Sequence, residues 1–381
     1  MPLNPLDRKR LQQALTAAEA SIGLSDPNPR VGCVVGSEDG RVFGIGCTQE
    51  AGGPHAEVMA LRAALAAGAN LNGATAWVTL EPCAHHGRTP PCADALVAAG
   101  IARVVVAIGD PFPQVDGHGM ARLRAAGVEV VLADPAMAEV ARDLNIGFFS
   151  RVERGRPWVR MKIAASLDGR TALPDGRSQW ITGPEARADG HAWRKRAGAV
   201  LTGIGTVLHD DPRLDVRSVP TRHQPLRAVV DSKLRLPLSS RMFDAEGGVL
   251  VFGADAPAER ASGLRQRGAE VVFCANPEGQ VVLGAVLNEL SARSINEVHV
   301  EAGERLNGAL LNADLVDELL VYLAPKLLGD GQGMAKLSPL RQLTEAPHFC
   351  VVDIGRVGED LRLRLRRRTA SDSFTHIQAS K

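Results

Sequence analysis

The segment from residue 53 to residue 92 constrains the fold of this chain more than any other stretch. It begins GPHAEVMALRAAL and ends TLEPCAHHGRTPPC. His55, Cys83 and Cys92 supply one imidazole and two thiolates, a donor set that suits Zn²⁺ in a tetrahedral site with one position left for water. The sequence therefore predicts a fold that brings these three side chains together.

A glutamate, Glu57, follows the histidine of this segment by two positions. Residues two apart on a regular helix point about 200° away from each other, so His55 and Glu57 converge only at a helix start. Pro54 marks such a start, and apolar residues then recur at helical spacing. A strand is expected at residues 75–80 and a short helix at residues 93–99, so both cysteines should lie where strand passes into helix. Helix N-termini favour the thiolate form of cysteine.

The spacing of these residues is close to a known zinc deaminase signature. Such enzymes carry H-x-E followed by P-C-x-x-C, and their glutamate moves protons without binding the metal. Here eight residues separate the two cysteines. A structural zinc site is the alternative, with a fourth ligand from His85, His86, Cys33 or Cys47. The joint occurrence of H-x-E, TLEP and P-C-x8-C favours the catalytic interpretation.

Charge and length limit the classes of function. The 381 residues are enough for two domains. Lys and Arg number 44 against 43 for Asp and Glu, so no bulk positive charge attracts nucleic acid or an anionic membrane. The N-terminus lacks the apolar core of a signal peptide, and no run approaches roughly 18 apolar residues. With six cysteines that suggest reduced thiols, we expect a cytoplasmic protein.

The first part of the chain alternates helical and strand-like segments. Residues 6–22 predict an amphipathic helix, and the strands RVFGIGCT, RVVVAIGD and VEVVLAD follow, with a helix near residues 120–126. This alternation predicts a layered α/β domain. Gly, Pro and charge between residues 145 and 157 place the boundary near Phe149, which gives domains 1–149 and 150–369 and a mobile tail at 370–381.

Two glycine-rich turns in the second part suggest nucleotide binding. Gly203 and Gly205 follow an apolar strand, but Leu208 stands where the fingerprint G-x-G-x-x-G needs its third glycine. Gly303 lies between the strand EVHVE and a helix whose free N–H groups can hold a pyrophosphate. Each glycine can equally be a plain turn or cap. Further helices are expected at residues 184–196, 256–267, 281–292 and 304–313.

Taken together, the motifs resemble one family along nearly the whole chain. HAE and EPCAHHGRTPPC resemble the deaminase half of the bifunctional riboflavin-biosynthesis deaminase/reductases. MKIAASLDGR, SQWITG, LTGIGTVLHDDPRL, DSKLRLP and VEAGERLNGALL stand in the order of that family's reductase domain. The resemblance implies an N-terminal cytidine-deaminase-like α/β/α domain and a C-terminal dihydrofolate-reductase-like domain with a mainly parallel sheet.

This resemblance also implies two reactions and two cofactors. Zinc-dependent hydrolysis would convert 2,5-diamino-6-(5-phosphoribosylamino)pyrimidin-4(3H)-one to 5-amino-6-(5-phosphoribosylamino)uracil. NADPH would then reduce the ribosyl chain to ribityl. The expected partner is a small phosphorylated pyrimidine, with no nucleic acid and no membrane. The chain is expected to form a homo-oligomer. The alternative is a zinc deaminase of a nucleobase or tRNA with a non-catalytic nucleotide-binding second domain, but aromatic residues for stacking are only 4%.

The resemblance assigns binding residues position by position. Glu57 would be the catalytic proton carrier. The NADPH site would be lined by Ala164, Trp180, Thr206, Asp210, Ser232, Gly303, Glu304, Arg305, Leu306, Asn307, Gly308 and Ala309. The substrate of the reductase would contact Ser178, Arg194, Leu214, Arg217 and Glu301.

A few further assignments keep an open alternative. Asn28 and Val31 belong to the NPxVG segment that lines the pyrimidine pocket in the family, although Asn before Pro is also ordinary turn chemistry. Arg88, between the two cysteines, suits the substrate phosphate but can equally be a solvated loop arginine. Lys162 and Asp168 suggest acid and base groups, yet a solvated strand lysine and a turn aspartate explain them as well.

Overall fold

A computed structural model describes residues 3–84 and 90–367 of the chain. These residues form two compact units, of which the first ends at Pro157 and the second begins at Trp158. The short stretch Ser294–Asn296 belongs to the first unit. No helix among the described residues is long and apolar enough to cross a membrane.

The first unit consists of a five-stranded sheet with helices on both faces. Its helices are α1 (Pro5–Glu19), α2 (Ala56–Ala66), α3 (Cys92–Ala98), α4 (His118–Ala125), α5 (Pro135–Leu144) and α6 (Ile146–Arg154). Its strands are β1 (Gly32–Gly36), β2 (Val42–Cys47), β3 (Thr75–Val78), β4 (Arg103–Val106) and β5 (Glu129–Leu132). The strand order is β2-β1-β3-β4-β5; β1 pairs antiparallel with β2 and β3, and β3, β4 and β5 are parallel.

Alternating apolar residues on the strands produce the two cores of this unit. Successive side chains of a strand point to opposite faces of the sheet. Cys33 and Val35 therefore pack in a core with α2, α3 and α6, whereas Val34 packs in a second core with α1 and α5. The predicted α/β/α arrangement is confirmed.

The helix that carries the predicted site lies unusually close to the sheet. A Cβ at Gly44 would lie 2.2 Å from the carbonyl oxygen of Ala60, and one at Gly46 would lie 2.4 Å from that of Ala56. Only glycine permits this approach. The backbone of β2 therefore fixes the N-terminal turn of α2.

The domain boundary lies later in the chain than the sequence suggested. The predicted position, residue 149, falls inside α6, where Phe148 and Phe149 are buried in the core of the first unit. Gly155 ends this helix in a left-handed conformation, and Pro157 follows. Gly155 and Pro157 therefore do mark a boundary, but this boundary is the end of α6 and not residue 149 inside the helix. The tail at 370–381 lies outside the described residues.

The second unit is organised around a nine-stranded sheet. Its strands, together with a separate two-stranded pair formed by β7 and β14, are β6 (Trp158–Ser166), β7 (Arg170–Ala172), β8 (Ala199–Gly203), β9 (Leu226–Val230), β10 (Val249–Gly253), β11 (Ala269–Phe273), β12 (Glu297–Val300), β13 (Glu318–Ala324), β14 (Gln332–Gly333), β15 (Phe349–Val357) and β16 (Asp360–Arg367). Its helices are α7 (Pro184–Arg196), α8 (Ile204–Asp210), α9 (Ala258–Gln266), α10 (Leu283–Ala292) and α11 (Glu304–Asn312).

The pairing in the large sheet is mainly parallel, as expected. The order is β11-β10-β9-β8-β12-β6-β13-β16-β15, and every pair from β11 to β13 is parallel. The pairs β13–β16 and β16–β15 are antiparallel. Chain segments that follow β8, β9 and β12 consequently emerge at one edge of the sheet, where ligands bind in such folds.

A buried charge cluster fixes α7 on this sheet. Arg160 of β6 donates hydrogen bonds to Glu297 and Glu318, each at 2.6 Å, and all three side chains are at most 1% exposed. The guanidinium of Arg160 also lies 4.5 Å from the ring centroid of Trp193 in α7. Because α7 is held at this point, the positions of His191 and Arg194 on the same helix are fixed as well.

Candidate active sites

The first unit brings the predicted metal ligands together. His55 caps the N-terminus of α2, Cys83 follows β3, and Cys92 opens α3. The Nδ1 atom of His55 lies 3.3 Å from Sγ of Cys92 and 3.6 Å from Sγ of Cys83. All three donor atoms lie within 4.8 Å of one another, which is close enough for them to bind one metal ion. Among the described residues, this is the cluster of three or more His, Cys, Asp or Glu side chains with that geometry.

The electrostatics of this cluster suit a divalent cation. Hydrogen bonds from the Cys92 thiol, from His55 and from the Cys92 backbone N–H lower the pKa of Cys83 to about 4. The pKa of Cys92 is raised, because its thiol is hydrogen-bonded to Cys83, because it is buried, and because the charges of Glu57 and Cys83 repel a second thiolate. A cation removes this repulsion and ionises both thiols. One imidazole and two thiolates fit tetrahedral Zn²⁺ with one open position.

Glu57 lies in the first turn of α2, as predicted from the sequence, and it is only 3% exposed. Burial, with the nearby Cys83 thiolate, raises the pKa of its carboxyl to about 7. Glu57 lines a cavity of about 570 Å³ together with His55 and Cys83. A carboxyl group in this position can exchange protons near neutral pH.

The cavity beside the metal cluster also contains the predicted NPxVG segment. Asn28 and Val31 both line it. Two hydrogen bonds fix the backbone of this segment. The side chain of Asn145 accepts one from the Arg30 N–H at 2.7 Å and donates one to the Arg30 carbonyl at 2.9 Å. His85, His86 and Arg88 lie outside the described residues.

Sequence reasoning missed two acidic residues next to this site. Asp110 lines the cavity, and burial raises the pKa of its carboxyl to about 7. Glu81, in the TLEP motif, accepts backbone hydrogen bonds from Gly117 and Met120, each at 3.0 Å, and from Asp110 at 3.3 Å. Asp110 follows β4, the parallel neighbour of β3, so the rule that sites lie at the carboxyl ends of parallel strands was a usable signal for it.

The second unit contains a separate cavity of about 1000 Å³ at the carboxyl edge of its sheet. Most predicted reductase residues line it, namely Ala164, Ser178, Trp180, Arg194, Thr206, Asp210, Leu214, Arg217, Glu301, Gly303, Glu304, Arg305, Leu306 and Asn307. Three predicted cofactor residues do not line it. Ser232 accepts a weak hydrogen bond from the Val281 N–H at 3.4 Å, Gly308 packs against the Lys336 carbonyl, and Ala309 lies within α11.

The start of α11 is open toward this cavity. Thr206 Oγ1 accepts a hydrogen bond from the Gly303 N–H at 3.2 Å. A Cβ at Gly303 would meet no atom closer than this oxygen, at 3.9 Å. The space in front of the helix N-terminus is thus free for a ligand, which fits a pyrophosphate approaching the backbone.

The polar centre of the cavity is an ion pair between Arg194 and Glu301. Nη2 of Arg194 donates to Oε2 of Glu301 at 2.9 Å, its Nε donates to Oε1, and its Nη1 donates to the Asp215 carbonyl at 2.9 Å. Burial alone would raise the pKa of Glu301, but the Arg194 guanidinium holds that pKa well below its usual range. The carboxylate therefore stays ionised as a hydrogen-bond acceptor.

The two residues with open alternatives, Lys162 and Asp168, differ in their surroundings. Lys162 lines the cavity, and its pKa is lowered because the surrounding protein removes water from the ammonium group. Asp168 instead accepts backbone hydrogen bonds from Gly329 at 2.8 Å and from Leu328 at 3.1 Å. These contacts support the turn interpretation for Asp168 and a cavity position for Lys162.

Comparisons with known proteins cover both units. The family model of the RibD C-terminal domain matches residues 157–363, and that of the cytidine and deoxycytidylate deaminase zinc-binding region matches residues 5–108. Riboflavin biosynthesis protein RibD of Escherichia coli is 44% identical over 94% of this chain and 99% of its own length. The Aquifex aeolicus protein of the same name is 39% identical over 96% and 99%.

Solved structures agree with these matches. Acinetobacter baumannii RibD, form 1, superposes with a TM-score of 0.85 at 40% identity and covers 96% of this chain and 99% of that one. A Thermotoga maritima diaminohydroxyphosphoribosylaminopyrimidine deaminase/5-amino-6-(5-phosphoribosylamino)uracil reductase superposes with a TM-score of 0.84 at 33% identity, covering 95% and 99%. Because these matches span both units and nearly the full length of each relative, the chain belongs to the RibD family of riboflavin biosynthesis proteins.

Proposed function

We infer that this chain is a bifunctional enzyme of riboflavin biosynthesis, with Zn²⁺ and NADPH as its cofactors. One observation carries this conclusion. A single chain combines a His-Cys-Cys cluster beside a buried glutamate with a second cavity, at the edge of a parallel sheet, that is lined by the glycine at the start of α11. Relatives at 44% and 39% identity match both parts. The first unit hydrolyses the 2-amino group of 2,5-diamino-6-(5-phosphoribosylamino)pyrimidin-4(3H)-one, and the second reduces the ribosyl chain of the product.

In the deaminase site we propose His55, Cys83 and Cys92 as the zinc ligands. When bound there, Zn²⁺ would acidify a water molecule toward neutral pH. Glu57 is placed to accept a proton from the attacking water and to pass protons to the ring nitrogen and the leaving amine. Its burial and raised pKa support both directions of transfer. Asn28 and Asp110 face the same cavity and can hold the pyrimidine by hydrogen bonds.

In the reductase site, NADPH would supply a hydride to the sugar carbon. The open N-terminus of α11 at Gly303 suits the cofactor pyrophosphate. Glu301 remains ionised and can accept hydrogen bonds from sugar hydroxyls. Reduction of the sugar also requires a proton on its oxygen. Lys162 lines the cavity, and its lowered pKa suits its ammonium group to donate that proton.

A nucleobase or tRNA deaminase with a non-catalytic second domain is not favoured. The match to the RibD C-terminal domain extends over residues 157–363, and the whole-chain relatives are RibD proteins. The reductase cavity also contains a set of ionisable side chains suited to chemistry, Lys162, Arg194 and Glu301. A pure binding module has no need of them.

We further propose that the enzyme works in the cytoplasm as a homo-oligomer. None of the six cysteines forms a disulfide in the described structure, which supports a reducing compartment. The oligomeric state is tested by light scattering of the purified chain. Arg88 stays a proposed contact for the phosphate in the deaminase site, and an unchanged KM in Arg88→Ala would remove it.

Product analysis tests the proposed function directly. The protein is incubated with the diaminopyrimidine phosphate, with and without NADPH, and the products are identified by mass. Without NADPH we expect one NH group to be exchanged for oxygen; with NADPH we expect the further gain of two hydrogens. Recovery of unchanged substrate under both conditions would refute the proposal, and deamination without reduction would favour the non-catalytic second domain.

A further inference from the structure

One histidine of the reductase cavity has no role so far. His191 lies on α7, only 5% of the residue is exposed, and it lines the cavity. It precedes Arg194 by three positions, so both side chains lie on the same face of the helix. Lys162, Glu301 and Arg217 line the same cavity.

The hydrogen bonding of His191 determines which ring nitrogen carries the proton. Nδ1 accepts a hydrogen bond from the backbone N–H of Arg217 at 3.3 Å. A nitrogen that accepts has no proton, so the neutral ring carries its proton on Nε2. Across the described ranges, no protein atom hydrogen-bonds to this Nε2. The ring therefore offers an unused donor in a cavity that binds the substrate.

The charges around the ring keep it neutral. Burial and the guanidinium groups of Arg194 and Arg217 lower the pKa of His191 to about 4, against the opposing effect of Glu301 and Asp215. At neutral pH the imidazole is therefore a donor at Nε2 and an acceptor at Nδ1.

The two arginines that the sequence assigned to the substrate are not equally available. The guanidinium of Arg194 is engaged by Glu301 and by the Asp215 carbonyl, and its side chain is 14% exposed. The Arg217 side chain is 52% exposed, and among the described residues its guanidinium donates through Nη1 alone, to Oδ1 of Asp215 at 2.5 Å. Its other guanidinium nitrogens remain free to bind an anion in the cavity.

We propose that the Nε2–H of His191 and the guanidinium of Arg217 together bind the phosphate of the reductase substrate. This inference rests on the proposed function and deepens it, because it separates the roles of the two arginines. A phosphate has only acceptor oxygens at neutral pH, so it needs donors, and a neutral N–H beside a cation supplies them without adding repulsion to Arg194. His191 also fixes Arg217 through the Arg217 backbone N–H, so one ring both contacts and positions the subsite.

Two substitutions separate the functions of the two ring nitrogens. In His191→Asn, the short amide can replace Nδ1 as the acceptor for Arg217 but cannot reach the position of Nε2. In His191→Gln, the longer amide can place an N–H near the position of Nε2. We expect His191→Asn to raise the KM of the phosphorylated substrate about tenfold or more, the effect of losing a hydrogen bond to a charged group. His191→Gln should recover a substantial part of this loss.

Inorganic phosphate and a dephosphorylated substrate identify the group that His191 contacts. Phosphate should inhibit reduction by the wild-type chain competitively, and its inhibition constant should rise in His191→Asn in parallel with KM. The dephosphorylated substrate should show nearly the same KM in both proteins. The exposed His348→Asn is the matched control and should leave all these constants unchanged.

Deamination by the same full-length chain and the Kd for NADPH report whether each variant is folded. An unchanged KM and phosphate inhibition in His191→Asn would overturn the proposal, as would equal losses for both substrates, which would assign His191 to the sugar. A His191→Gln variant as impaired as His191→Asn would reduce the residue to a packing role. Failure of the wild-type chain to reduce the substrate at all would instead refute the proposed function.

Discussion

Arg194 and Glu301 meet inside the reductase cavity as a two-point ion pair, although 107 positions separate them in the sequence. The arginine comes from α7 and the glutamate follows β12. Both side chains are about 15% exposed, at 14% and 15%. The pair keeps Glu301 ionised. In the proposal made above, Arg217 rather than Arg194 meets the phosphate.

Replacing Arg194 by alanine should therefore impair reduction through Glu301. We expect kcat/KM for reduction to fall by the equivalent of about 1.5–3 kcal/mol of transition-state stabilisation, the range for hydrogen bonds to charged groups. Without the guanidinium, burial raises the pKa of Glu301, so the acid limb of the reductase pH profile should move to higher pH. The profile is measured with saturating NADPH, and the exposed Arg341→Ala serves as the control.

Deamination and NADPH binding should remain near normal in Arg194→Ala, because neither depends on this pair. A fall in NADPH affinity as large as the fall in reduction rate would assign Arg194 to the cofactor site. An unshifted pH profile would show that Arg194 does not act through Glu301.

Glu57→Gln should retain zinc and lose most deamination. The amide is nearly isosteric with the carboxyl group but cannot cycle a proton, and such participation is typically worth about 10²–10⁴-fold. Zinc content is measured by atomic emission and turnover by product mass. The matched control is Glu139→Gln, at an exposed position on α5. Ordinary turnover in Glu57→Gln would remove the glutamate from the mechanism.

Cys83→Ser should lose metal and deamination together while reduction of pre-deaminated substrate continues. Cys83 is the more acidic of the two thiols, and its Sγ also accepts the Cys92 backbone N–H at 3.3 Å. A serine hydroxyl is a far weaker zinc ligand than a thiolate. Cys350→Ser, at an exposed free cysteine, should keep both activities. Full zinc occupancy in Cys83→Ser would show the ligand assignment to be wrong.

The metal cluster was predictable because its information is local. His55 and Glu57 lie at one helix start, and Cys83 and Cys92 lie only 9 positions apart, so residue type and spacing were enough. The helix at residues 184–196 was also predicted with its observed bounds, since Pro184 begins it and three basic residues complete its last turn. Predictions of this kind succeed because they depend only on residues close together in the sequence.

The remaining features depend on contacts that spacing does not encode. Glu81 was passed over because its partners are backbone N–H groups up to 39 positions away. The availability of Arg217 and the engagement of Arg194 follow from Asp215 and Glu301, which belong to other segments. His191 escaped notice because a histidine on a helix gives no signal until its Nδ1 is seen to accept the Arg217 N–H.

Gly303→Val should abolish NADPH-dependent reduction and spare deamination. The nearest atom to a Cβ at Gly303 is Thr206 Oγ1, at 3.9 Å, and the backbone there does not need a positive φ, so the variant should fold. The isopropyl group would instead occupy the space in front of α11 and keep a pyrophosphate from its free N–H groups. Gly284→Val is the matched control, because Gly284 also has open space but lies on α10 away from the cavity lining. We expect the Kd for NADPH, measured by fluorescence titration, to rise at least tenfold in Gly303→Val, corresponding to about 1.4 kcal/mol or more of binding free energy. Normal cofactor affinity in that variant would mean that NADPH binds elsewhere along the sheet edge than at the start of α11.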